Sequence, residues 1–459
     1  MKNDYKPVIG LEIHVELKTK SKMFCQCDAD YFGAKPNTHV CPVCMGMPGA
    51  LPVPNKTAIE WMQKIGKALG CEIAKNSKFD RKHYFYPDLP KGYQISQYDE
   101  PFAVKGKVVV QNPYVGSEAK TFRIHRVHME EDTAKLTHEG DKTLVDFNRS
   151  SVPLVEIVTE PDFSSSDDVK AFLEELQVII RYLDVSDADM EKGSMRLEPN
   201  ISVRVEDPKS KVDSRGLINQ ARTENIELPK YKVEVKNINS FRFVKAAIDF
   251  EVKRQIEILE KGETPKQETR GYDDEKGITY SQRSKEDAQD YRYFPEPDIP
   301  PFVFDETYIS QIEKSLPELP GDKMKRFMKD IQIKEIDAFI LTRDRMVADY
   351  FEKACTALSL QKISAQSVAN IIINKRLPTT LPIEEFVRKA TTLLAVKTTD
   401  TELLDSVISS VIKDNPPVVA DFKSGKQNAL MFLVGQVMRG MKGQADAKIV
   451  ISVLTDRLK

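Results

Sequence analysis

Glu12, His14 and Glu16 occupy alternate positions in Leu11-Glu12-Ile13-His14-Val15-Glu16-Leu17. A period of two sets Leu11, Ile13, Val15 and Leu17 against a core and puts both carboxylates and the imidazole on the opposite face of one strand. Oxygen and nitrogen donors spaced this way on a rigid strand can converge on one cation or one substrate. Taken alone, they are equally the solvated side of a half-buried strand. Glu156 is harder to dismiss, because it interrupts the aliphatic run Val152-Pro153-Leu154-Val155-Glu156-Ile157-Val158. An ionised glutamate buried there without a partner is costly, so it calls for a cation, a metal or a raised pKa.

Sulfur supplies a second chemistry. Cys25-Gln26-Cys27 and Cys41-Pro42-Val43-Cys44 form two short-spaced pairs, while Cys71 and Cys355 stand apart. The N-terminus carries no signal-peptide-like apolar run, which points to a cytosolic chain whose clustered thiols bind metal rather than form disulfides. Four protein ligands leave no open position, so a structural Zn²⁺ is expected on Cys25, Cys27, Cys41 and Cys44. All six histidines (His14, His39, His83, His125, His128 and His138) fall in the first third of the chain, which places the chemistry early.

These groups need elements to hold them. Asn55 to Gly70 has helical spacing with glycine as its stop, and Val169 to Leu183 follows a capping pair, Ser165 and Asp168. Met195 to Glu206 and Lys232 to Lys236 alternate like the opening stretch, and Asn237 to Phe241 leads into another helix. A largely antiparallel sheet is expected, apolar on one face and charged on the other, followed beyond Tyr308 by helices alone. The aromatic and basic loop from Lys82 to Gln94 is either packing or a platform for a base. Spaced arginines between Gln267 and Pro301 suit phosphate or surface ion pairs. Lys423, Lys426, Arg439 and Lys442 make the tail locally basic, either as a solvated face or as an RNA-phosphate patch.

Composition sets the outer limits. The 459 residues carry 68 basic and 70 acidic side chains, so any nucleic-acid contact must be a local patch. No apolar run is long enough for a membrane helix. No P-loop, dinucleotide-binding turn or nucleophile elbow is present. On the residues alone, a non-catalytic zinc-bearing RNA-binding module is the rival to an enzyme.

Several motifs together resemble the B subunit of the bacterial glutamyl/aspartyl-tRNA amidotransferases. They are Val8–Glu16, Tyr84–Gln97 (YFYPDLPKGYQISQ), His128–Lys135 (HMEEDTAK), Pro153–Asp162 (PLVEIVTEPD), Lys236–Phe241 (KNINSF), Asp290–Asp298 (DYRYFPEPD) and Phe432–Met438 (FLVGQVM). The resemblance implies an α+β fold: a cradle of glutamine synthetase/guanidino kinase type over 1–303 with the zinc loop inserted, a helical domain over 304–395 and a small all-α tRNA-binding tail over 396–459. It implies that ATP phosphorylates the side-chain carboxylate of Glu-tRNA(Gln) or Asp-tRNA(Asn), and that ammonia from a partner amidase displaces the phosphate. A small third protein completes the heterotrimer. By motif, Glu12, His14, Glu131 and Glu156 become catalytic residues and Mg²⁺ ligands. Lys135, Glu198, Arg270, Arg283 and Arg292 become candidates for ATP, phosphate or acceptor-end binding. The chain departs from the family where Arg196-Leu197-Glu198-Pro199-Asn200 replaces an Arg-Cys-Asp-x-Asn pattern, and its helical domain is short.

Overall fold

The structure, a computed structural model, describes residues 4–111, 113, 118–206, 228–284, 291–394, 401–441, 445 and 447–458. In chain order the elements are β1 (Asp4–Glu16), α1 (Lys56–Ala68), β2 (Glu72–Ile73), β3 (Asn76–Ser77), β4 (Asp80–His83), β5 (Tyr93–Ser96), β6 (Ala103–Val110) and β7 (Lys120–Glu131). Next come β8 (Lys135–Glu139), β9 (Lys142–Asp146), β10 (Pro153–Thr159), α2 (Ser166–Leu183), β11 (Met195–Glu206), β12 (Val233–Lys236) and α3 (Phe241–Glu260). Four strands follow: β13 (Glu268–Asp273), β14 (Ile278–Ser284), β15 (Arg292–Pro295) and β16 (Phe302–Val303). The rest is helical: α4 (Glu306–Lys314), α5 (Pro320–Lys329), α6 (Glu335–Leu341), α7 (Arg345–Ser359), α8 (Ala365–Ile373), α9 (Ile383–Leu394), α10 (Thr401–Asp414), α11 (Pro416–Lys423), α12 (Gln427–Gly440) and α13 (Ala447–Leu458). By internal contacts the chain divides into Met1–Ala348 and Asp349–Lys459, a boundary that falls inside α7.

The first unit is built on a nine-stranded sheet in the order β14-β13-β12-β11-β1-β10-β7-β6-β2. β12 and β13 run parallel, and the other neighbours in it are antiparallel. β1 holds the centre because its alternation is complete: Ile9, Leu11, Ile13 and Val15 are at most 1% exposed. Helices α1, α2 and α3 cover that apolar face and share one core with it. Their starts are set by side chains that satisfy first-turn N–H groups. Asn55 accepts from Ala58 N, Ser165 from Asp168 N and Ser240 from Phe243 N. On α2, Val169, Phe172, Leu173, Leu176 and Ile180 are fully buried, and Phe172 meets Phe122 and Phe163 edge to face. Gly106 lets β6 approach the end of α1, where a Cβ would sit 2.4 Å from Cys71 Sγ and 2.6 Å from Leu69 O.

The open face of the sheet carries the charge. The molecule is therefore α+β, a largely antiparallel sheet region followed by helices. In the second unit, Leu404, Ile408, Leu433, Val437, Val450 and Leu454 from α10, α12 and α13 close a separate core. Among the described residues no helix is long and apolar enough to cross a membrane.

Candidate active site

Strand register brings the site together. On the open face His14 of β1 lies opposite Glu156 of β10 and Arg196 of β11, and Glu156 in turn lies opposite His128 of β7. One ligand atom each from His14, Glu130 and Glu156 falls within 4.8 Å of the others. His14 Nε2 is 3.5 Å from Glu156 and 3.6 Å from Glu130, and His128 Nε2 is 3.2 Å from Glu156. Burial pushes the Glu156 carboxyl up, but the imidazoles of His128 and His14 hold it well below the usual carboxylate range. Burial works against protonated His14, yet Glu156 and Glu130 raise its pKa to about 9. In the metal-free protein the imidazolium thus acts as the cation between two carboxylates.

Two residues back along β1, Glu12 forms a second acidic group with Glu198 and Glu234, again within 4.8 Å. Glu12 and Glu198 are in register. Asn200 Nδ2 donates to Glu12 at 2.9 Å, and Lys236 reaches Glu198 at 2.9 Å. Burial raises Glu198. A cavity of about 420 Å³ opens beside this group, lined by Glu12, Asn200, Tyr231, Lys232 and Gln267 among others. Glu16, the third acid of β1, belongs to neither group. Arg196 spans it and Asp132, and Tyr31 Oη donates to it at 3.0 Å. Burial and the neighbouring Asp132 lift the Glu16 carboxyl to about 8.

Three residues named from the sequence are placed differently, the first being Glu12, which falls in the second acidic group rather than with His14 and Glu156. Glu131 does not join His14 and Glu156; Glu130 does. Glu131 shares the strand parity of Val127 and Met129 and is gripped by Lys91 at 2.5 Å and by Ile95 N at 2.9 Å. Arg270 is committed to structure. It donates to Thr279 and Glu268 at 2.8 to 2.9 Å and lies 3.5 Å from the fully buried Glu251.

The remaining candidates are scattered. Lys135 starts the β8–β9 hairpin and Arg292 sits on β15 opposite His83; both are exposed. The side chain of Arg283 lies outside the described residues, as does all of Lys442. Lys423, Lys426 and Arg439 are exposed in the second unit, with Lys426 paired to Asp421 at 2.9 Å.

Sequence reasoning missed Glu130, His128, Glu234 and Lys82. Strand parity from the buried Val127 and Met129 would have picked out His128 and Glu130 together. Burial works against the Lys82 ammonium, but the carboxylates of Glu130 and Glu156 more than offset it and raise its pKa. Its Nζ stands 4.9 Å from the Tyr291 ring.

The four cysteines also converge, with Sγ atoms of Cys25, Cys27, Cys41 and Cys44 within 4.8 Å of one another and none in a disulfide. Zinc–sulfur bonds of about 2.3 Å make the edge of a tetrahedron about 3.8 Å, and Cys41 and Cys44 are 3.8 Å apart. Lys22 is fully buried beside them, its ammonium 3.3 Å from Phe147 O and 4.0 Å from Cys44 Sγ. A buried cation suits a thiolate centre of net negative charge.

Known proteins match nearly the whole of this chain in sequence. A model of the GatB/GatE catalytic domain matches residues 7–310, and one of the GatB domain matches residues 324–458. The chain is 42% identical to the B subunit of the aspartyl/glutamyl-tRNA(Asn/Gln) amidotransferase of Caldicellulosiruptor bescii, over 99% of both chains. The same identity and coverage hold for the proteins of that name from Carboxydothermus hydrogenoformans and Thermotoga maritima.

Proposed function

Because the chain belongs to the B-subunit family of the aspartyl/glutamyl-tRNA(Asn/Gln) amidotransferase, a glutamine-dependent ligase, we propose that its open sheet face is where the carboxylate of a misacylated tRNA is activated and amidated. The observation that carries this reading is the convergence of His14, Glu130 and Glu156 from three adjacent strands. A free carboxylate is a poor electrophile, so amidation requires an acyl phosphate made with ATP. Phosphoryl transfer is mainly positioning and charge neutralisation.

Glu130 and Glu156 are hard oxygen donors suited to Mg²⁺, with His14 giving up its proton to complete the set. The imidazole would suit Mn²⁺ better. Glu12, Glu198 and Glu234 would hold a second divalent cation. Metal bound there supplies positive charge against the transferring phosphoryl group. His128, its Nε2 3.2 Å from Glu156, steadies that carboxylate, and Lys82 brings a cation to the same side. The four cysteines hold a structural Zn²⁺, and Lys22 balances the net negative charge of that thiolate centre. Ammonia comes from an amidase partner, with a small third protein in the assembly, and the basic residues of the tail meet the tRNA. The three-part division at 303/304 and 395/396 and a cytoplasmic location belong to the same proposal.

The test supplies the assembled enzyme with Glu-tRNA(Gln), glutamine, Mg²⁺ and ATP, and measures Gln-tRNA(Gln) for wild type and Glu156→Ala. ATP-dependent product that disappears in a folded variant is expected. Product made without ATP, or by the variant at the wild-type rate, overturns the assignment.

A further inference from the structure

The cysteine loop reaches the acidic site through one lysine. Gly46, two residues past Cys44, has φ of +64°, and a Cβ on it would fall 2.2 Å from Lys91 Cγ, 3.0 Å from Lys91 Cβ and 3.2 Å from Lys91 Cα. Glycine suits this approach, because a side-chain rotation of Lys91 could carry Cγ away but would leave the contacts at its Cβ and Cα. From the other side, Phe24, next to Cys25, places its ring 5.9 Å from the Lys91 ammonium. So confined, Lys91 holds Glu131 at 2.5 to 2.6 Å, with both side chains under a tenth exposed. Ile95 N and Gln94 Nε2 complete the anchorage of Glu131, on its carboxylate and its backbone carbonyl respectively. The next residue back is Glu130, which faces His14.

We propose that the four-cysteine loop positions the catalytic metal site: through Gly46, Lys91 and Glu131 it fixes where β7 presents Glu130. The proposal rests on the assignment of His14, Glu130 and Glu156 as that site. Relieving a 2.2 Å contact to ordinary carbon–carbon separation moves the Lys91 stem by more than about 1 Å. Metal ligand sets tolerate displacements of only about 0.2 Å. Lys91 and Gly46 are positioning residues in this scheme, because neither meets the cation.

Gly49 provides the control. It also has positive φ, +82°, but a Cβ there meets nothing within 4 Å. Gly46→Ala and Gly49→Ala therefore impose similar backbone strain, and only the first pushes Lys91. In the assembled enzyme, Gly46→Ala should raise the Mg²⁺ half-saturation for transamidation roughly 10- to 100-fold, with zinc content retained. Gly49→Ala should leave the half-saturation at wild type. Lys91→Ala should reproduce the shift, and adding Gly46→Ala to it should cost much less than it does in the wild type, since both act on one linkage and truncation removes the 2.2 Å contact while leaving those at 3.0 and 3.2 Å.

The proposal is overturned if Gly46→Ala matches Gly49→Ala, or if the two single effects multiply in the double variant. Should Gly46→Ala fail to fold, Lys91→Ala with zinc retained carries the test, and a wild-type half-saturation overturns it. Glu130→Gln separates the two levels. If it leaves Mg²⁺ dependence unchanged, the site assignment fails. If it abolishes transamidation while Gly46→Ala has no effect, only the coupling fails.

Discussion

Replacing Lys22 by Met removes a buried ammonium and keeps the volume, and its effect should depend on whether the cysteines hold zinc. In the metal-free protein Cys44 is drawn down to about 5, chiefly by the hydrogen bond from Cys25 and further by Lys22. One thiolate thus balances one ammonium, and without Lys22 the Cys44 pKa moves up, so that the thiolate is easier to protonate. Four thiolates on a dication carry a net charge of about −2, which no protonation relieves without expelling the metal. The cost of burying the lysine is common to both states and cancels in the zinc affinity. What remains is one additional unit charge, carried by the other three thiolates and the metal beyond the 4.0 Å separation of Lys22 Nζ and Cys44 Sγ. At an effective dielectric constant near 20 a unit charge at about 4 Å is worth about 4 kcal/mol, which sets the upper bound. Lys22→Met should therefore weaken zinc binding by about two to three decades in a chelator-competition assay. Unfolding of the metal-free protein should hardly change, since a buried methionine needs no partner. A variant that binds zinc within about threefold of wild type would refute the claim that Lys22 is the counter-charge.

Two other outcomes follow from the same geometry. Arg270→Met should lower stability by about 2 to 3 kcal/mol, because it strips donors from the network around buried Glu251 while Arg254 still holds that carboxylate. The KM for ATP should not change, and a raised KM at unchanged thermal midpoint would restore Arg270 to phosphate binding. In chelator, His14 has a folded pKa near 9 against 6.5 unfolded. Its stabilisation is therefore fully present below pH 6.5 and lost as pH rises through 9, about 3 kcal/mol in gross terms. Urea unfolding of metal-free wild type should show this loss relative to His14→Asn, and equal pH dependence in the two proteins would refute it.

The opening strand was legible because its alternation is unbroken, and the Ser165 cap because capping is local. The thiol cluster was legible because two short-spaced pairs need little more than a loop to meet. Glu130 and Glu131 are adjacent acids, so residue type could not separate them, and only the parity of β7 against its buried neighbours does. Arg270 stayed open between phosphate and ion pairs because its partners Glu251 and Thr279 lie on other elements, and a guanidinium's commitment depends on what the fold brings to it. Glu234 and His128 were passed over for a related reason. Each is ordinary in its own segment and gains a role only from strands paired beside it.

The central place of β1 also orders events in time. β1 leaves the ribosome before the other strands of its sheet and supplies His14 and Glu12, but neither has its carboxylate companions yet. The His14 group is whole only once β10 has been made, through Thr159, and the Glu12 group only after β12, through Lys236. During synthesis the cysteine loop is complete by Cys44, long before either. A metal suited to the four cysteines has its ligand set early on the nascent chain, whereas the acidic sites have none to offer until most of the sheet exists.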